Sequence, residues 1–320
     1  MFVRFPRSLL TYADFLAFHR YVTGMHNRHG SALYRGYSLR TLVDRFTQFL
    51  DHPPTATDIW NILPPSFTTR TVWVYGCDGK WLGRAGVFFI HRNVTTKENL
   101  YWSFMSSESY GAIHRDITAL TTLLGDHLPM GAISDWKGAI VAGVASHFGN
   151  IPHQRCLAHV ERAARRLLPL NSPFGATQAL RRIASLRMEV EQPTDSRVWN
   201  AYLTQWEKQY GYMLTEKTQA PMGISRKWWY THGNLRRAWR LLTHDQEPLF
   251  VFLINGLIPK TNNALEGVNS NLKQKLGDHR GMNIPRQTSF LFWYMAFTRS
   301  KSNKDLKKLW VYQKSKFSRN

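Results

Sequence analysis

Acidic residues are scarce in this chain and cysteines nearly absent. Of 320 residues, 21 are Asp or Glu and two are cysteines, Cys77 and Cys156. Two cysteines can build neither a disulfide framework nor a four-cysteine zinc site, so a reducing, cytoplasmic compartment is expected. No apolar run approaches the roughly 20 residues needed to cross a bilayer. The start, Met1-Phe-Val-Arg-Phe-Pro-Arg-Ser-Leu-Leu10, lacks a signal-peptide core and cleavage site, which points to a soluble protein with no membrane partner. No internal repeat or long low-complexity segment is found.

Positive charge and aromatic rings are abundant. Forty-two Lys and Arg leave a formal net charge of +21, which calls for a polyanionic partner. Nucleic acid is the first expectation, ahead of ribosome-like or membrane-surface binding. Twelve Trp, 13 Tyr and 18 Phe exceed what a simple basic tail carries. Rings among cations can stack on bases, although most belong in a core. A 43% hydrophobic content over this length supports a sizeable core in one large domain or two ordinary ones.

The first 60 residues read as helical. Residues 11–24 place Phe15, Phe18 and Val22 on one side and stop at Gly24, and a second helix starts with Ser38 as cap and buries Leu39, Leu42, Phe46 and Phe49. With Arg35, Arg40 and Arg45 nearby, the pair reads either as a small helix-turn-helix or as helices that merely pack. Two Pro-Pro pairs, at 53–54 and 64–65, bracket an expected linker and domain boundary. Strands are then expected over 71–78, 85–91 and 98–105, as an antiparallel meander, followed by a helix over 109–125. A short strand over 130–135, a helix over 136–148, a strand over 151–156 and an arginine-rich helix over 157–168 complete a mixed sheet with helices on its faces. The expected organisation is 1–60 helical and DNA-binding-like, 61–170 the first part of an α/β core, 171–250 an all-helical insertion, 251–298 the second part of the core, and 299–320 a basic tail.

Within the insertion, Arg226-Lys-Trp-Trp-Tyr-Thr-His-Gly-Asn-Leu-Arg-Arg-Ala-Trp-Arg240 interleaves cations with aromatics, as a nucleic-acid groove would, or as a tryptophan core with a basic rim would. The tail holds eight Lys or Arg against one Asp, which fits a phosphate-binding arm or a solubilising end.

The stretch Lys260–Gly281 is the most informative. Leu265, Val268, Leu272 and Leu276 recur at helical spacing, while Asn262, Glu266, Asn269 or Ser270, and Lys273 fall on a second face. A carboxylate between amides and a lysine suits an acid that meets a metal and a phosphate together. A solvated surface helix would carry the same pattern. Two further acids stand at expected strand ends, Asp78 and Asp135. Neighbouring strands would bring them side by side, and clustered carboxylates persist when divalent cations neutralise them.

Four short motifs carry a resemblance: Val74-Tyr-Gly-Cys-Asp78-Gly-Lys-Trp-Leu, Ile133-Ser-Asp135-Trp-Lys-Gly-Ala, Gln154-Arg-Cys156-Leu-Ala-His159-Val, and Thr261-Asn-Asn-Ala-Leu-Glu266-Gly-Val-Asn-Ser-Asn-Leu-Lys273. Together, across residues 71–299, they resemble a Mutator-like DDE transposase of a bacterial insertion sequence. The resemblance implies a ribonuclease H-like fold with a helical insertion before the glutamate helix. It implies a metal-binding catalytic triad of Asp78, Asp135 and Glu266 holding two Mg²⁺, with Mn²⁺ as a substitute. It further implies double-stranded DNA partners, both terminal inverted repeats and target, a homodimer or larger synaptic complex, and a nucleoid-associated site of action. Cys156 and His159 match the family's Cys-x-x-His element, as packing around the site, as a DNA contact, or as a plain buried Cys with a satisfied His. Arg155, His159, Arg162, Arg226, Lys227, Arg236, Arg237, Lys273 and Arg280 are the DNA-binding candidates. Arg165 and Arg166 on the same helix as Arg162 read either as phosphate contacts or as a wet face. Unlike relatives with a cysteine-rich zinc ribbon, this chain carries none, so either the reading frame begins late or terminal-repeat recognition falls to residues 11–60. The alternative function is a catalytically inactive or truncated transposase-derived DNA-binding protein. A ribonuclease H-like nuclease without strand transfer explains the acids but not the insertion.

Overall fold

The computed structural model describes residues 10–24, 36–66, 72–221, 225 and 227–317. In chain order these form α1 (Tyr12–Thr23), α2 (Leu39–Asp51), α3 (Ala56–Ile62), β1 (Val74–Trp81), β2 (Val87–Asn93), β3 (Glu98–Met105), α4 (Tyr110–Leu124), β4 (Gly131–Ser134), α5 (Gly138–Phe148), β5 (His153–Arg155) and α6 (Leu157–Leu167). There follow α7 (Gly175–Leu186), α8 (Pro193–Tyr210), β6 (Lys217–Gln219), β7 (Trp228–Tyr230), α9 (Gly233–Thr243), α10 (Val251–Ile254), α11 (Asn263–Asp278), α12 (Ile284–Arg299) and α13 (Asn303–Phe317).

Five strands make one mixed sheet in the order β3-β2-β1-β4-β5. The β2–β3 pair is antiparallel, while β1–β4 and β4–β5 are parallel. This is the α/β architecture expected of a ribonuclease H-like core. Gly76 pairs with Ile133, so Asp78 and Asp135 each follow two residues after a paired position. The chain divides into two compact units, Met1–Val72 with Cys77–Leu128 and Ala264–Asn320, and Trp73–Gly76 with Pro129–Asn263. Strand β1 contributes to both.

The first unit owes its core to aromatics on helices remote in sequence. Phe15 and Phe18 of α1, Phe49 of α2, and Trp293 and Phe297 of α12 are all buried. Phe18 stacks on Phe49 with centroids 4.9 Å apart and meets Trp293 edge-on at 5.4 Å. Trp293 donates its Nε1–H to the Phe49 carbonyl at 2.8 Å, so the one polar atom of a buried indole is satisfied. Helix starts follow from capping. Thr11 and Asp14 form a reciprocal capping box at α1, Ser38 caps α2, and Asn283 caps α12 with Pro285 in the first turn. Every residue of β2 is buried, as an interior strand requires.

Four expectations change here. The linker expected between the Pro-Pro pairs carries helix α3, because Thr55 and Asp58 close a second capping box. Strand β1 runs through Asp78 to Trp81, so Asp78 lies inside the strand and not at its end. Gly79 permits this: a Cβ there would stand 2.2 Å from Glu108 Oε1 and 2.6 Å from Val87 Cγ2. The turn shifts to residues 82–86, where Gly83 and Gly86 take positive φ. The basic tail is helix α13, which buries Leu306, Leu309 and Gln313. Of the expected helix-turn-helix, the connection at 25–35, with Arg35, lies outside the described residues. Arg45 is engaged internally, paired with Asp14 and lying over the Tyr37 ring.

The second unit has its own core, built from α6, α7, α8 and α9 with Leu157, Val160, Leu180, Trp199, Leu203, Trp206 and Leu242 buried. Trp199 and Trp206 donate to the carbonyls of Ile183 and Ala176 at 2.8 and 2.9 Å. Buried Gln154 ties β5 to this helical layer, donating to Leu249 O at 3.0 Å and accepting from Phe252 N at 3.0 Å. The segment 171–250 is not all-helical: β6 and β7 pair as an antiparallel ribbon. The three consecutive aromatics of β7, Trp228-Trp229-Tyr230, favour extended backbone over helix.

Candidate active site

In the first unit the glutamate helix forms as its pattern predicts. Leu265 and Leu272 of α11 are fully buried, and Val268 and Leu276 pack against the same core. That fixes the opposite assignment for Glu266 and Asn269, three residues apart and therefore neighbours on one half-buried face. Asn269 donates its Nδ2–H to Asp78 Oδ2 at 2.7 Å, and the Gly79 N–H donates to Asp78 Oδ1 at 2.9 Å. Of the two amide or hydroxyl positions open in the sequence, Asn269 faces an acid while Ser270 is exposed. Asp78 is 8% exposed, so a charge-assisted bond to it is worth about 1.5–3 kcal/mol.

In the second unit Asp135 follows directly on β4. Trp136 adopts φ +67°, a left-handed conformation that costs a bulky residue about 1–2 kcal/mol. Its N–H donates to Ser134 Oγ at 3.2 Å, Ser134 Oγ is 2.9 Å from His153 Nε2, and the Trp136 and His153 rings lie 4.9 Å apart. These contacts hold the bend that presents Asp135. Lys137 covers the carboxylate twice, with its backbone N–H 3.3 Å from Oδ1 and its Nζ 2.9 Å from Oδ2. Burial drives the His153 pKa down to about 4 against the opposing pull of Asp135. At neutral pH His153 is therefore an uncharged hydrogen-bond partner. Burial also lowers Arg155, with Asp245 and Asp135 opposing.

Cys156 is fully buried as the residue preceding α6. Its Sγ accepts the Asn262 N–H at 3.2 Å, its own N–H donates to Ser134 O at 2.8 Å, and Leu157 N donates to Lys260 O at 3.0 Å. The thiol thus fastens the segment before α11 to the start of α6. His159 is half-buried one turn on, Arg162 and Arg166 are exposed, and Arg165 is paired with Glu161 at 2.6 Å. Beneath them Arg187 is wholly buried, donating to Leu157 O at 3.2 Å, and burial takes its pKa down to about 10.

The other DNA-binding candidates separate into three groups. Lys227, Arg237, Lys273 and Arg280 are exposed. Arg236 is engaged internally, donating to Leu214 O at 2.9 Å and lying 4.1 Å over the Tyr230 ring. Arg226 lies outside the described residues. Trp228 and Trp229 remain more than one-third exposed on the ribbon, with Lys217 Nζ 4.1 Å over Trp228.

Lys137, Ser134 and His153 were not singled out from sequence. Ser134 and Lys137 flank Asp135 in the quoted motif, and that adjacency was the only signal. His153 is 18 residues further on, brought back by the β4–β5 register of Ala132 with His153.

Asp78, Asp135 and Glu266 each offer hard carboxylate oxygens, the kind of ligand Mg²⁺ prefers. Asn269 occupies an acceptor position on Asp78, and Lys137 one on Asp135.

Residues 141–268 match the family model described as Transposase IS66 family. The match supports a transposase role. It covers two-fifths of the chain, from α5 through the helical segment to the first turn of α11, and takes in Cys156, His159 and Glu266. The motif resemblance was to Mutator-like elements, and the two agree at the level of transposase. No curated protein matches the chain.

Proposed function

We propose that this chain is a DNA transposase in which Asp78, Asp135 and Glu266 act together in metal-dependent cleavage and strand transfer at insertion-sequence ends. The transposase match over 141–268 carries the reading. Two local arrangements support it. The register of β1 with β4 leaves Asp78 and Asp135 at equal distance from a paired position, and α11 turns Glu266 and Asn269 to the same face, where Asn269 meets Asp78.

Bound Mg²⁺ would supply charge neutralisation and activation of the attacking oxygen in an in-line displacement at phosphorus. The chain's own residues do the rest. Asn269 and the Gly79 N–H fix the orientation of the Asp78 carboxylate. Lys137 neutralises the Asp135 carboxylate through its Nζ, and the same ammonium would suit a phosphate oxygen where a cation held Asp135 instead. His153 and Ser134 hold the backbone bend behind Asp135.

In the chemistry proposed, water first cleaves the phosphodiester at the element's end. The freed 3′-hydroxyl then attacks a target phosphodiester, one P–O bond forming as another breaks. Double-stranded DNA is the substrate on both sides of the reaction, and holding two ends at once calls for a dimer or larger assembly. Exposed Lys227, Arg237, Lys273 and Arg280, together with the Trp228–Trp229 ribbon, are the surfaces offered to DNA.

The test is Asp135→Asn, assayed for Mg²⁺-dependent strand transfer with pre-cleaved ends and, separately, for duplex binding. Loss of transfer with binding retained supports the triad. Undiminished transfer removes it, and binding without transfer in the wild-type chain favours a transposase-derived DNA-binding protein instead.

A further inference from the structure

The first unit contains a polar cleft of about 250 Å³ at the far end of the β2–β3 hairpin, lined in part by Arg92, Lys97, Glu98, Asn99, Arg299 and Lys301. Four of those six side chains are cationic and one is acidic. The two arginines are deeply placed, 8% and 7% exposed, while Lys97 and Lys301 stand at the solvent side.

The cleft is a constructed feature. The β2–β3 register slips between His91 and Arg92, which re-aims Arg92 relative to a regular ladder. Lys97 sits at φ +58°, an uncommon conformation for lysine. Arg299 is anchored from the C-terminal end of α12, its Nη1 donating to Asn99 O at 3.1 Å and its Nη2 to Leu63 O at 2.5 Å.

The single carboxylate is already shared. Glu98 Oε1 lies 3.2 Å from Arg299 Nη1 and 3.9 Å from Lys301 Nζ. Arg92 bonds Asn99 Oδ1 through one Nη, while its buried Nε has no hydrogen-bond partner among the described residues. An unpaired N–H on a buried cation is costly, and an arriving anion would offset it.

We infer that this cleft binds a phosphate group of DNA. The inference rests on the reading of the chain as a DNA-handling protein. A guanidinium edge and two ammonium groups around a space this size suit a tetrahedral anion with its attached sugar. Drug-sized pockets run from about 300 Å³ upward, so a whole base pair is excluded. The sequence offers no hint of the site, because Arg92 and Arg299 stand on elements far apart in the chain.

The experiment compares the double variant Lys97→Gln/Lys301→Gln with Lys307→Gln/Lys308→Gln, an equal charge change on exposed positions of α13. Duplex affinity is measured by fluorescence anisotropy across a salt series, and thermal stability with and without inorganic phosphate. The cleft variant is expected to bind about tenfold more weakly, with the salt slope lowered by about two. It should also lose the stabilisation that inorganic phosphate gives the wild type. Equal losses for the two double variants, or undiminished stabilisation by phosphate, overturn the inference.

Duplexes with and without a 5′-phosphate separate the sources: equal loss on both assigns a backbone phosphodiester, and loss confined to the phosphorylated duplex assigns a terminal phosphate. A normal salt slope for the cleft variant alongside an inactive Asp135→Asn removes the cleft and leaves the triad. The reverse pattern leaves the cleft and removes the triad.

Discussion

Replacing Asn269 by Asp is the most demanding test of how α11 meets β1. The side chains are nearly the same size, so packing of Leu265 and Leu272 on the same helix is undisturbed. Only the electrostatics change, and they change at 2.7 Å. The amide that donated to Asp78 becomes a second carboxylate facing it. At an effective dielectric of 20, two unit charges 4 Å apart repel by about 4 kcal/mol, and more at shorter range.

Repulsion does not grow without limit, because the pair can take up one proton. Protonating an acid of ordinary pKa 3.9 at pH 7 costs about 4 kcal/mol, so the destabilisation saturates near that figure. The protonated acid then donates to its partner and restores the hydrogen bond. The cost therefore falls by about 1.4 kcal/mol per pH unit, to about 1.5 kcal/mol at pH 5. Asn269→Ala is the companion, losing only the charge-assisted bond, about 1.5–3 kcal/mol with little dependence on pH.

The assay is urea denaturation of both variants and the wild type from pH 5 to pH 8. If Asp78 belongs to a cation site, millimolar Mg²⁺ should recover part of the loss in Asn269→Asp and little in Asn269→Ala. A variant Asn269→Asp whose stability tracks the wild type at every pH would refute the placement of Asn269 against Asp78, and with it the local support for Asp78 as a site residue.

Three further outcomes follow from single contacts. Gly86→Ala should cost at least about 2 kcal/mol, since a Cβ at φ +147° would stand 2.4 Å from the Met105 carbonyl oxygen, a backbone atom with no room to retreat; denaturant midpoints at unchanged m-value measure it. Trp293→Phe keeps much of the ring contact but removes one of two donors to the Phe49 carbonyl, which keeps the His52 N–H at 3.2 Å, and about 0.5–1.5 kcal/mol of stability should go. His153 gives a pH signature. The unfolded chain takes its proton near pH 6.5 and the folded chain only near pH 4, so stability is full above 6.5 and declines as pH falls through that interval, by at most about 3 kcal/mol. His153→Gln should flatten that part of the stability curve, and an unchanged slope would exclude His153 as its source.

Local pattern made much of this legible. The periodicity of Leu265, Leu272 and their neighbours fixed both the helix and the face it buries, and that face in turn set where Glu266 and Asn269 stand. Ser38 marks a helix start to the residue, and the helix expected over 11–24 forms at Tyr12–Thr23. What failed were boundaries decided by close approach in three dimensions. Asp78 ends the strand expected over 71–78 because Gly79 reads as the start of a turn, yet in the fold Gly79 lets Glu108 and Val87 come near. The tail reads as a phosphate-binding arm or a solubilising end because its lysines are numerous, while Leu306, Leu309 and Gln313 are enough to bury one side of α13. Pro-Pro pairs were read as a boundary, although a proline on either side of a short capped helix leaves that helix intact. Pairs such as Lys137 with Asp135, or Arg92 with Asn99, required coordinates because propensity says nothing about which charge meets which.

The excess of cations follows from a count that no arrangement can evade. Forty-two basic residues face 21 acids, so at least half of them would lack a carboxylate even if every acid took one. Several acids are indeed taken internally: Asp14 by Arg45, Glu161 by Arg165, Asp51 by Arg286, Glu191 by Lys260, Asp135 by Lys137. Each such pair takes one acid and one base together, so the excess of positive charge is left whole. Self-repulsion of that charge destabilises the folded chain, and a polyanion spread over the surface relieves it. DNA binding on this view is a consequence of composition before it is a matter of particular contacts. Two of the few acids illustrate the local answer to this excess: Asp78 accepts from the Asn269 amide, and Asp135 pairs with Lys137.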